Sequence, residues 1–185
     1  MILASKSPRR RELLGMLTPN FTVVEAGVNE DASTSASPAG LAGNLARQKA
    51  LAVFAMHPQS AVIGCDTVVE VKGRALGKPV DAEEAKEMLA ALSGRTHQVH
   101  TGVCICLPGQ QPEFFVETTK VTVASVSAAD IDAYTATKEP YDKAGGYAIQ
   151  GHFARYIPRI EGCYYNVMGL PVAALYQALH RLGLL

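Results

Sequence analysis

Three consecutive arginines stand at what should be the start of a helix near the beginning of the chain. Ser7 is a suitable N-cap and the proline after it suits the first helical position, so the pattern predicts a helix over Pro8–Leu17. The free N–H groups at a helix N-terminus already make it positive, so Arg9, Arg10 and Arg11 are unfavourable there unless an anion shares the site. Helical spacing places Arg9 and Arg10 toward the packed side and Arg11 away from it. A polyanion site explains this arrangement better than three solvated arginines paired with nearby acids.

Asp66 is the acid in the least expected surroundings. It lies within Ala61–Val71, a predicted strand dense in Val and Ile that we expect to be interrupted at positions 65–67. An unpaired carboxylate would be costly to bury there, so it needs a cation, hydrogen bonds or a raised pKa, and each of these is common at catalytic sites. Asp66 is therefore a candidate for binding a divalent metal or for deprotonating a water molecule. A structural Asp satisfied by neighbouring amides is the alternative.

Three further polar side chains fit a phosphorylated ligand. Lys49 lies on the apolar face of a predicted helix over 38–56, so its charge either reaches solvent or meets an anion or acid inside. Lys78 lies in a Gly-Lys-Pro turn that suits a phosphate contact, although a solvated loop lysine explains it equally well. The amide of Gln150 both donates and accepts, as reading the edge of a nucleobase requires. Alone, it is a weak signal.

Composition and absent motifs exclude several functional classes. The 185 residues hold 17 Lys and Arg against 17 Asp and Glu, a balance that argues against a nucleic-acid partner. No apolar run reaches the roughly 18 residues of a membrane helix, and the first residues do not resemble a signal peptide. The sequence contains no P-loop, GxSxG or HExxH motif, and His97 and His100 should lie on opposite faces of one strand. The four cysteines are expected to be free thiols of a cytoplasmic protein.

The remaining pattern alternates strands and helices. Strands are predicted over Ile2–Ala4 and Phe21–Glu25, a hairpin over Thr96–Leu107 and Glu113–Ser125, and helices from Asp81 to Leu92, from Ser127 to Thr135 and from Pro171 onward. Residues 138–170 are rich in glycine and tyrosine and favour loops and short strands. We expect an α/β fold with a mixed sheet and flanking helices, in one domain over residues 1–185 that is bent or split into two lobes.

Taken together, these segments resemble the Maf family of nucleoside triphosphate pyrophosphatases. The match includes, in chain order, LASKSPRRRELL at 3–14, ARQKA at 46–50, GCDTVV at 64–69, GKP at 77–79, LSGRTHQVHTG at 92–102, EPYDKAGGYAIQG at 139–151 and NVMGLP at 166–171. The resemblance implies a twisted mixed sheet with a deep cleft between two lobes, related to the inosine triphosphate pyrophosphatases. It also implies hydrolysis between the α- and β-phosphates with a divalent cation, Mg²⁺ or Mn²⁺.

The resemblance also implies roles for individual residues. Asp66 aligns with the family's general base. The residues that would hold the triphosphate are Ser5, Ser7, Arg9, Arg10, Lys49 and Lys78, and those associated with substrate choice are Arg9, Thr67 and Gln150. Independently of the resemblance, we expect Asp66 and Glu30 to be the carboxylates on the side of the metal.

The segment DKAGGYAIQG resembles the subgroup that acts on dTTP and UTP. Two alternatives remain at this stage: a pyrophosphatase for 7-methyl-GTP, and a nucleotide-binding regulator of cell division or septum formation. The expected partner is a small nucleotide, with neither nucleic acid nor membrane, and the resemblance alone suggests a homodimer.

Overall fold

The computed structural model describes residues 1–29, 35 and 37–185 of the chain. These residues contain a seven-stranded sheet in the order β2-β1-β3-β5-β6-β7, with β4 paired to β3. The strands are β1 (Ile2–Ala4), β2 (Thr22–Val23), β3 (Val62–Val71), β4 (Arg74–Leu76), β5 (Thr96–Cys106), β6 (Glu113–Thr122) and β7 (Arg159–Glu161). β1 is parallel to β2 and β3, and the other pairings are antiparallel. The predicted mixed sheet is confirmed.

Six α-helices flank this sheet in the part of the chain that the structure describes. They are α1 (Pro8–Gly15), α2 (Pro38–Met56), α3 (Ala82–Leu92), α4 (Ala128–Thr135), α5 (Tyr164–Met168) and α6 (Val172–Arg181). The side chains that cap α1 to α4 each accept a hydrogen bond from the backbone three residues later, as their types predict; they are Ser7, Ser37, Asp81 and Ser127. Among the described residues, no helix is long and apolar enough to span a bilayer.

Several boundaries differ from the expectations. The strand predicted over 21–25 has only two residues, and α1 ends at Gly15, before the predicted Leu17. The prediction of a break at 65–67 is wrong, because β3 pairs with β5 continuously from Val62 to Glu70. The side chains at positions 65–67 do not interrupt the backbone hydrogen bonds between β3 and β5. Residues 138–170 hold α5, β7 and three short 3-10 segments, which are Pro140–Asp142, Ala144–Gly146 and His152–Tyr156.

One edge of β3 is open at its centre. β1 pairs with it as far as Gly64, and β4 pairs with it from Val69 onward. Between these points, residues 65–68 face no strand on that edge among the described residues, while their other edge is paired with β5. Successive residues of a strand direct their N–H and C=O groups to opposite edges, so two of these four residues direct theirs into the opening. A ligand entering there meets backbone donors and acceptors beside Asp66 and Thr67.

The face of the sheet covered by α2 holds one apolar cluster. Ala50 and Val53 of α2 pack against Val62 of β3 and against Cys104 and Cys106 of β5. Even-numbered residues of β3 point to this face because side chains alternate along a strand. Asp66 therefore faces α2.

The opposite face carries two apolar clusters, one at each end of β3. Ile63 packs with α1 and α6, whereas Val69 packs with α3 and α4. Thr67 lies between these two positions, and Thr101 of β5 is paired directly beside it. The two clusters form the cores of two lobes, and a row of threonine hydroxyls separates them.

All four cysteines are free, as the sequence predicts. Three of them are buried, and Cys163 is partly exposed. Burial raises the pKa of the Cys65 thiol to about 11, so this thiol stays protonated near neutral pH and is a poor nucleophile.

His97 is a buried histidine held in its neutral form. Its side chain is bonded to the hydroxyl of Tyr147, with 2.7 Å between Nε2 and the oxygen. Burial lowers the pKa of His97 from 6.5 to about 4. The unfolded chain therefore takes up a proton at this residue near pH 6.5, whereas the folded chain does so only near pH 4. The contribution to stability is present above pH 6.5 and is lost as the pH falls toward 4.

We expect His97→Gln to remove this pH dependence. Glutamine keeps a polar group toward Tyr147 but does not titrate. Between pH 7 and pH 4, the wild-type free energy of unfolding should fall by about 3 kcal/mol more than that of the variant, as measured by urea unfolding. His152→Gln, which changes an exposed histidine, should retain the wild-type slope. Parallel pH profiles for wild type and His97→Gln would contradict this assignment.

Candidate active site

A cleft of about 690 Å³ opens at the gap in the edge of β3. Nine of the ten predicted site residues line it, which are Ser5, Ser7, Arg9, Arg10, Lys49, Asp66, Thr67, Lys78 and Gln150. They come from the end of β1, the start of α1, the middle of α2, the centre of β3 and two loops of the other lobe. Glu30, the tenth, lies outside the described residues. The fold therefore brings together residues that are far apart in the sequence.

Asp66 and Lys49 form a buried ion pair. The Lys49 Nζ lies 2.5 Å from Asp66 Oδ1, and about a tenth of each side chain is exposed. The sequence allows the Lys49 ammonium either to reach solvent or to meet an anion or acid in the interior. The structure shows the second arrangement, with Asp66 as the acid. The ammonium compensates the buried carboxylate, which would otherwise be strongly unfavourable. A carboxylate kept at this position can accept a proton or bind a cation.

Glycine allows α2 to approach β3 closely enough for this pair. A Cβ on Gly64 would lie 2.4 Å from the backbone oxygen of Ala46 and 2.5 Å from the nitrogen of Ala50. Ala46 and Ala50 flank Lys49 on the helix. The glycine in the segment GCDTVV thus determines how near the ammonium comes to Asp66.

Arg10 is held by three hydrogen bonds to uncharged oxygens. Its Nε donates to the backbone oxygen of Gly169 at 2.8 Å, its Nη1 to Ser5 Oγ at 3.3 Å and its Nη2 to Thr67 Oγ1 at 3.0 Å. A guanidinium has five N–H groups, so two remain for a ligand. Because these three partners are neutral, they fix the orientation of the guanidinium and leave its positive charge to act on the cleft.

Arg9 is held differently, by a carboxylate of the other lobe. Its Nη1 donates to Asp142 Oδ2 at 2.7 Å, and its Nη2 donates to the Asp142 backbone oxygen at 3.2 Å. Lys143 also bonds to this carboxylate. Burial favours a higher pKa for Asp142, but the hydrogen bonds from Lys143 and Arg9 outweigh it and lower the pKa. This ion pair joins α1 to the segment Pro140–Asp142.

The lobe built around α3 and α4 contributes an apolar wall. Val69, Val99 and Tyr147 belong to its core cluster and also line the cleft. Lys78 and Gln150 are exposed side chains on this side. The loop that carries Lys78 is fixed to the lobe by a hydrogen bond of 2.8 Å from the Gly145 nitrogen to the Gly77 oxygen. One wall is thus cationic and the other largely apolar.

Sequence reasoning missed several residues of this site, which are Asp142, Lys143, Tyr147 and Gly169. Three of the four lie in EPYDKAGGYAIQG and the fourth lies in NVMGLP, but Asp142 becomes informative only through Arg9, 133 residues away. The motifs indicate the segments in which these residues lie, but their contacts are visible only in the folded structure. Charged residues within a glycine-rich segment were the available signal.

The described residues could supply part of the ligand set of a divalent cation in the cleft. Within the described ranges, no group of three or more His, Cys, Asp or Glu side chains is placed to hold a metal alone. Magnesium in nucleotide sites commonly takes one or two carboxylates, with phosphates and water completing its shell. Asp66 lies in the cleft and could supply one such oxygen, and the second predicted ligand, Glu30, falls among the residues that the structure leaves undescribed.

Comparison with known proteins shows the family of this chain. The family model described as "Maf-like protein" matches residues 1–182. The chain belongs to the Maf-like family. Relatives with the name "dTTP/UTP pyrophosphatase" are similar to this chain over nearly its whole length. The one from Bacillus cytotoxicus is 49% identical, and the match covers 97% of this chain and 94% of the relative. One from Carboxydothermus hydrogenoformans is 48% identical, covering 98% and 97%.

Solved structures show a similar fold at low sequence identity. The Ham1 protein of Coxiella burnetii is 12% identical and covers 97% of this Maf-like chain and 98% of its own, with a TM-score of 0.52. The Ham1 protein of Staphylococcus aureus is 14% identical and covers 97% of both chains, with a TM-score of 0.50. The mixed α/β architecture is therefore shared with these proteins.

We expect Gly64→Ala to separate α2 from the sheet in this Maf-like protein. The added methyl group meets helix backbone, which cannot rotate away, so the free energy of unfolding should fall by about 1–3 kcal/mol. Urea unfolding measures the loss. Gly15→Ala, where a Cβ meets nothing within 4 Å, is the matched control and should not destabilise the protein. Equal midpoints for Gly64→Ala and wild type would show that the close approach is unnecessary.

Proposed function

We propose that this protein hydrolyses dTTP and UTP to the monophosphate and pyrophosphate. The observation that carries the proposal is a buried carboxylate, Asp66, placed in a cleft between a cationic wall and an apolar wall. The naming of the relatives as dTTP/UTP pyrophosphatases supports the choice of substrate. A cytoplasmic location is part of the proposal.

The cationic wall suits the triphosphate. Arg10 offers two N–H groups in a fixed orientation, and the N-terminus of α1 adds the partial positive charge of its free backbone N–H groups. Ser5 and Ser7 line the same wall, and Lys78 reaches the cleft from the other lobe. A tail with several negative charges satisfies these donors better than a single phosphate does.

Asp66 takes the role of general base. It removes a proton from a water molecule as the water oxygen attacks the α-phosphorus. The bond from the α-phosphorus to the bridging oxygen breaks, and its electron pair leaves with pyrophosphate. Lys49 holds the carboxylate in place through the bond to Oδ1. A bound divalent cation would neutralise phosphate charge, with Asp66 and Glu30 as the residues that would hold it.

The apolar wall suits the base. Val69, Val99 and Tyr147 offer a flat or aliphatic surface, and Gln150 has an amide that can donate to a carbonyl oxygen of uracil or thymine. Thr67 lies between the two walls. These contacts favour a pyrimidine with a carbonyl edge.

Asp66→Asn should abolish turnover and retain binding. Asparagine has a similar shape but cannot accept the proton, so we expect turnover of dTTP with Mg²⁺ to fall by at least about 100-fold, while the Kd of a non-cleavable dUTP analogue changes by less than about threefold. Product analysis by anion exchange should show the monophosphate and pyrophosphate with the wild type.

Glu70→Gln is the matched control for this experiment. It changes another acid of β3, bonded to His100 and absent from the lining of the cleft, and should retain turnover. Near-normal turnover by Asp66→Asn would remove Asp66 from the mechanism. Diphosphate and orthophosphate as products would overturn the proposed reaction.

Gln150→Glu should change which pyrimidine is preferred. A carboxylate only accepts hydrogen bonds, so it should favour the amino group of cytosine over the carbonyl oxygen of uracil. We expect the ratio of kcat/KM for UTP over CTP to fall by about tenfold in a pyrophosphate-release assay. Gln177→Glu, on the exposed side of α6, should leave the ratio unchanged. An unchanged ratio in Gln150→Glu would mean that this side chain does not contact the base.

A further inference from the structure

The segment NVMGLP, residues 166–171, has no role in the proposed reaction, yet it contacts Arg10. It begins in α5 and includes Gly169, whose backbone oxygen accepts the 2.8 Å bond from Arg10 Nε. Gly169 ends α5 with φ 118°, a backbone conformation that favours glycine, and its nitrogen bonds back to the Asn166 and Tyr165 oxygens. The acceptor for Arg10 is therefore fixed by the end of α5.

Asn166 anchors this short helix to the sheet. It is fully buried, and its Nδ2 donates to the Val99 oxygen and to Thr119 Oγ1, both at 3.0 Å. Among the described residues its Oδ1 has no hydrogen-bond partner. A buried amide left partly unsatisfied is unfavourable for stability alone, so its presence calls for another explanation.

A chain of hydroxyl groups connects Asn166 to Arg10 by a second route. Thr101 Oγ1 donates to the Asn166 backbone oxygen at 3.0 Å and lies 2.9 Å from Thr67 Oγ1. Because the Thr101 proton is used on Asn166, the Thr67 hydroxyl must donate to Thr101. Thr67 then accepts from Arg10 Nη2. Each hydroxyl donates once and accepts once, so the chain has a single direction.

We propose that Thr101 and Asn166 are positioning residues that fix the guanidinium of Arg10 for the polyphosphate. They do not touch the ligand. Asn166 fixes the Gly169 oxygen, which holds Nε, and Thr101 orients the Thr67 hydroxyl, which holds Nη2. These two contacts, at Nε and at Nη2, restrain the plane of the guanidinium. The orientation of that plane then determines the direction of the two remaining N–H groups. The proposal rests on the assignment of Arg10 to the polyphosphate in the proposed function.

Thr101→Val tests the hydroxyl chain. Valine has the same shape but leaves Thr67 without an acceptor for its proton. The Thr67 hydroxyl then rotates toward another acceptor and no longer holds a lone pair toward Arg10 Nη2. We expect the Kd of tripolyphosphate with Mg²⁺, measured by calorimetry, to rise about tenfold. Thr101→Ser, which keeps the hydroxyl, should restore the Kd to within about twofold. Thr135→Val is the matched control, because it removes a buried hydroxyl that bonds to the Ile131 oxygen in α4.

Arginine Nε–H exchange in ¹⁵N-labelled protein provides a readout independent of activity. In the wild type, the Arg10 Nε–H should exchange with water more slowly than that of Arg11, which is exposed on the same helix. Thr101→Val should speed the exchange, and Thr135→Val should not. Equal exchange for Arg10 and Arg11 in the wild type would overturn the proposal even if a variant failed to fold. An unchanged Kd and unchanged exchange in folded Thr101→Val would do the same.

These readouts separate the two proposals. If the protein does not hydrolyse dTTP but shows the expected exchange and tripolyphosphate binding, the positioning role stands and the reaction is wrong. If it hydrolyses dTTP but Thr101→Val and Thr101→Ser bind tripolyphosphate equally well, the reaction stands and the positioning role is wrong.

Discussion

The distance between α2 and the sheet sets the position of the Lys49–Asp66 pair in the cleft. Gly64 and Gly102 have no space for a Cβ, which would lie 2.4 Å from the Ala46 oxygen in one case and 2.3 Å from the Ala42 oxygen in the other. The helix therefore lies directly on β3 and β5, and Lys49 reaches Asp66 with both side chains almost fully removed from water. Such a pair is retained only where its geometry is good, because desolvation opposes it. The close packing of α2 on the sheet is therefore also what brings the Lys49 ammonium to the Asp66 carboxylate.

The two cleft-facing arginines of α1 illustrate how one sequence feature serves two purposes. Arg9 is neutralised by Asp142 and joins the lobes, whereas Arg10 is bonded to neutral oxygens and keeps its charge for the cleft. Both differ from Arg11, which is exposed. A row of threonines between two apolar clusters makes this possible, since it supplies hydroxyl acceptors where β3 and β5 pass from one lobe to the other.

Local chemistry made much of this predictable. A carboxylate among Val and Ile, arginines at a helix N-terminus and a lysine on an apolar helix face each conflict with their surroundings, so each signals a partner. The α/β class and most helices follow from periodicity and capping residues. The continuity of β3 through Asp66 could not be predicted from these patterns, because backbone pairing with β5 is insensitive to side-chain polarity. The partners of Arg9 and Arg10 at Asp142 and Gly169 also required the fold, since no local pattern relates residues so distant in sequence.

The contact between Arg9 and Asp142 has a consequence for which anions can stay in the cleft. Arg9 and Lys143 each donate one hydrogen bond to that carboxylate, and Arg9 donates a second to the Asp142 backbone oxygen. An incoming anion must therefore compete with an internal one for the same guanidinium. A molecule with one phosphate group has little with which to compensate the displaced aspartate, whereas a longer tail engages several cations at once. At Arg9, the Asp142 carboxylate therefore competes more effectively with a single phosphate group than with a longer anionic tail.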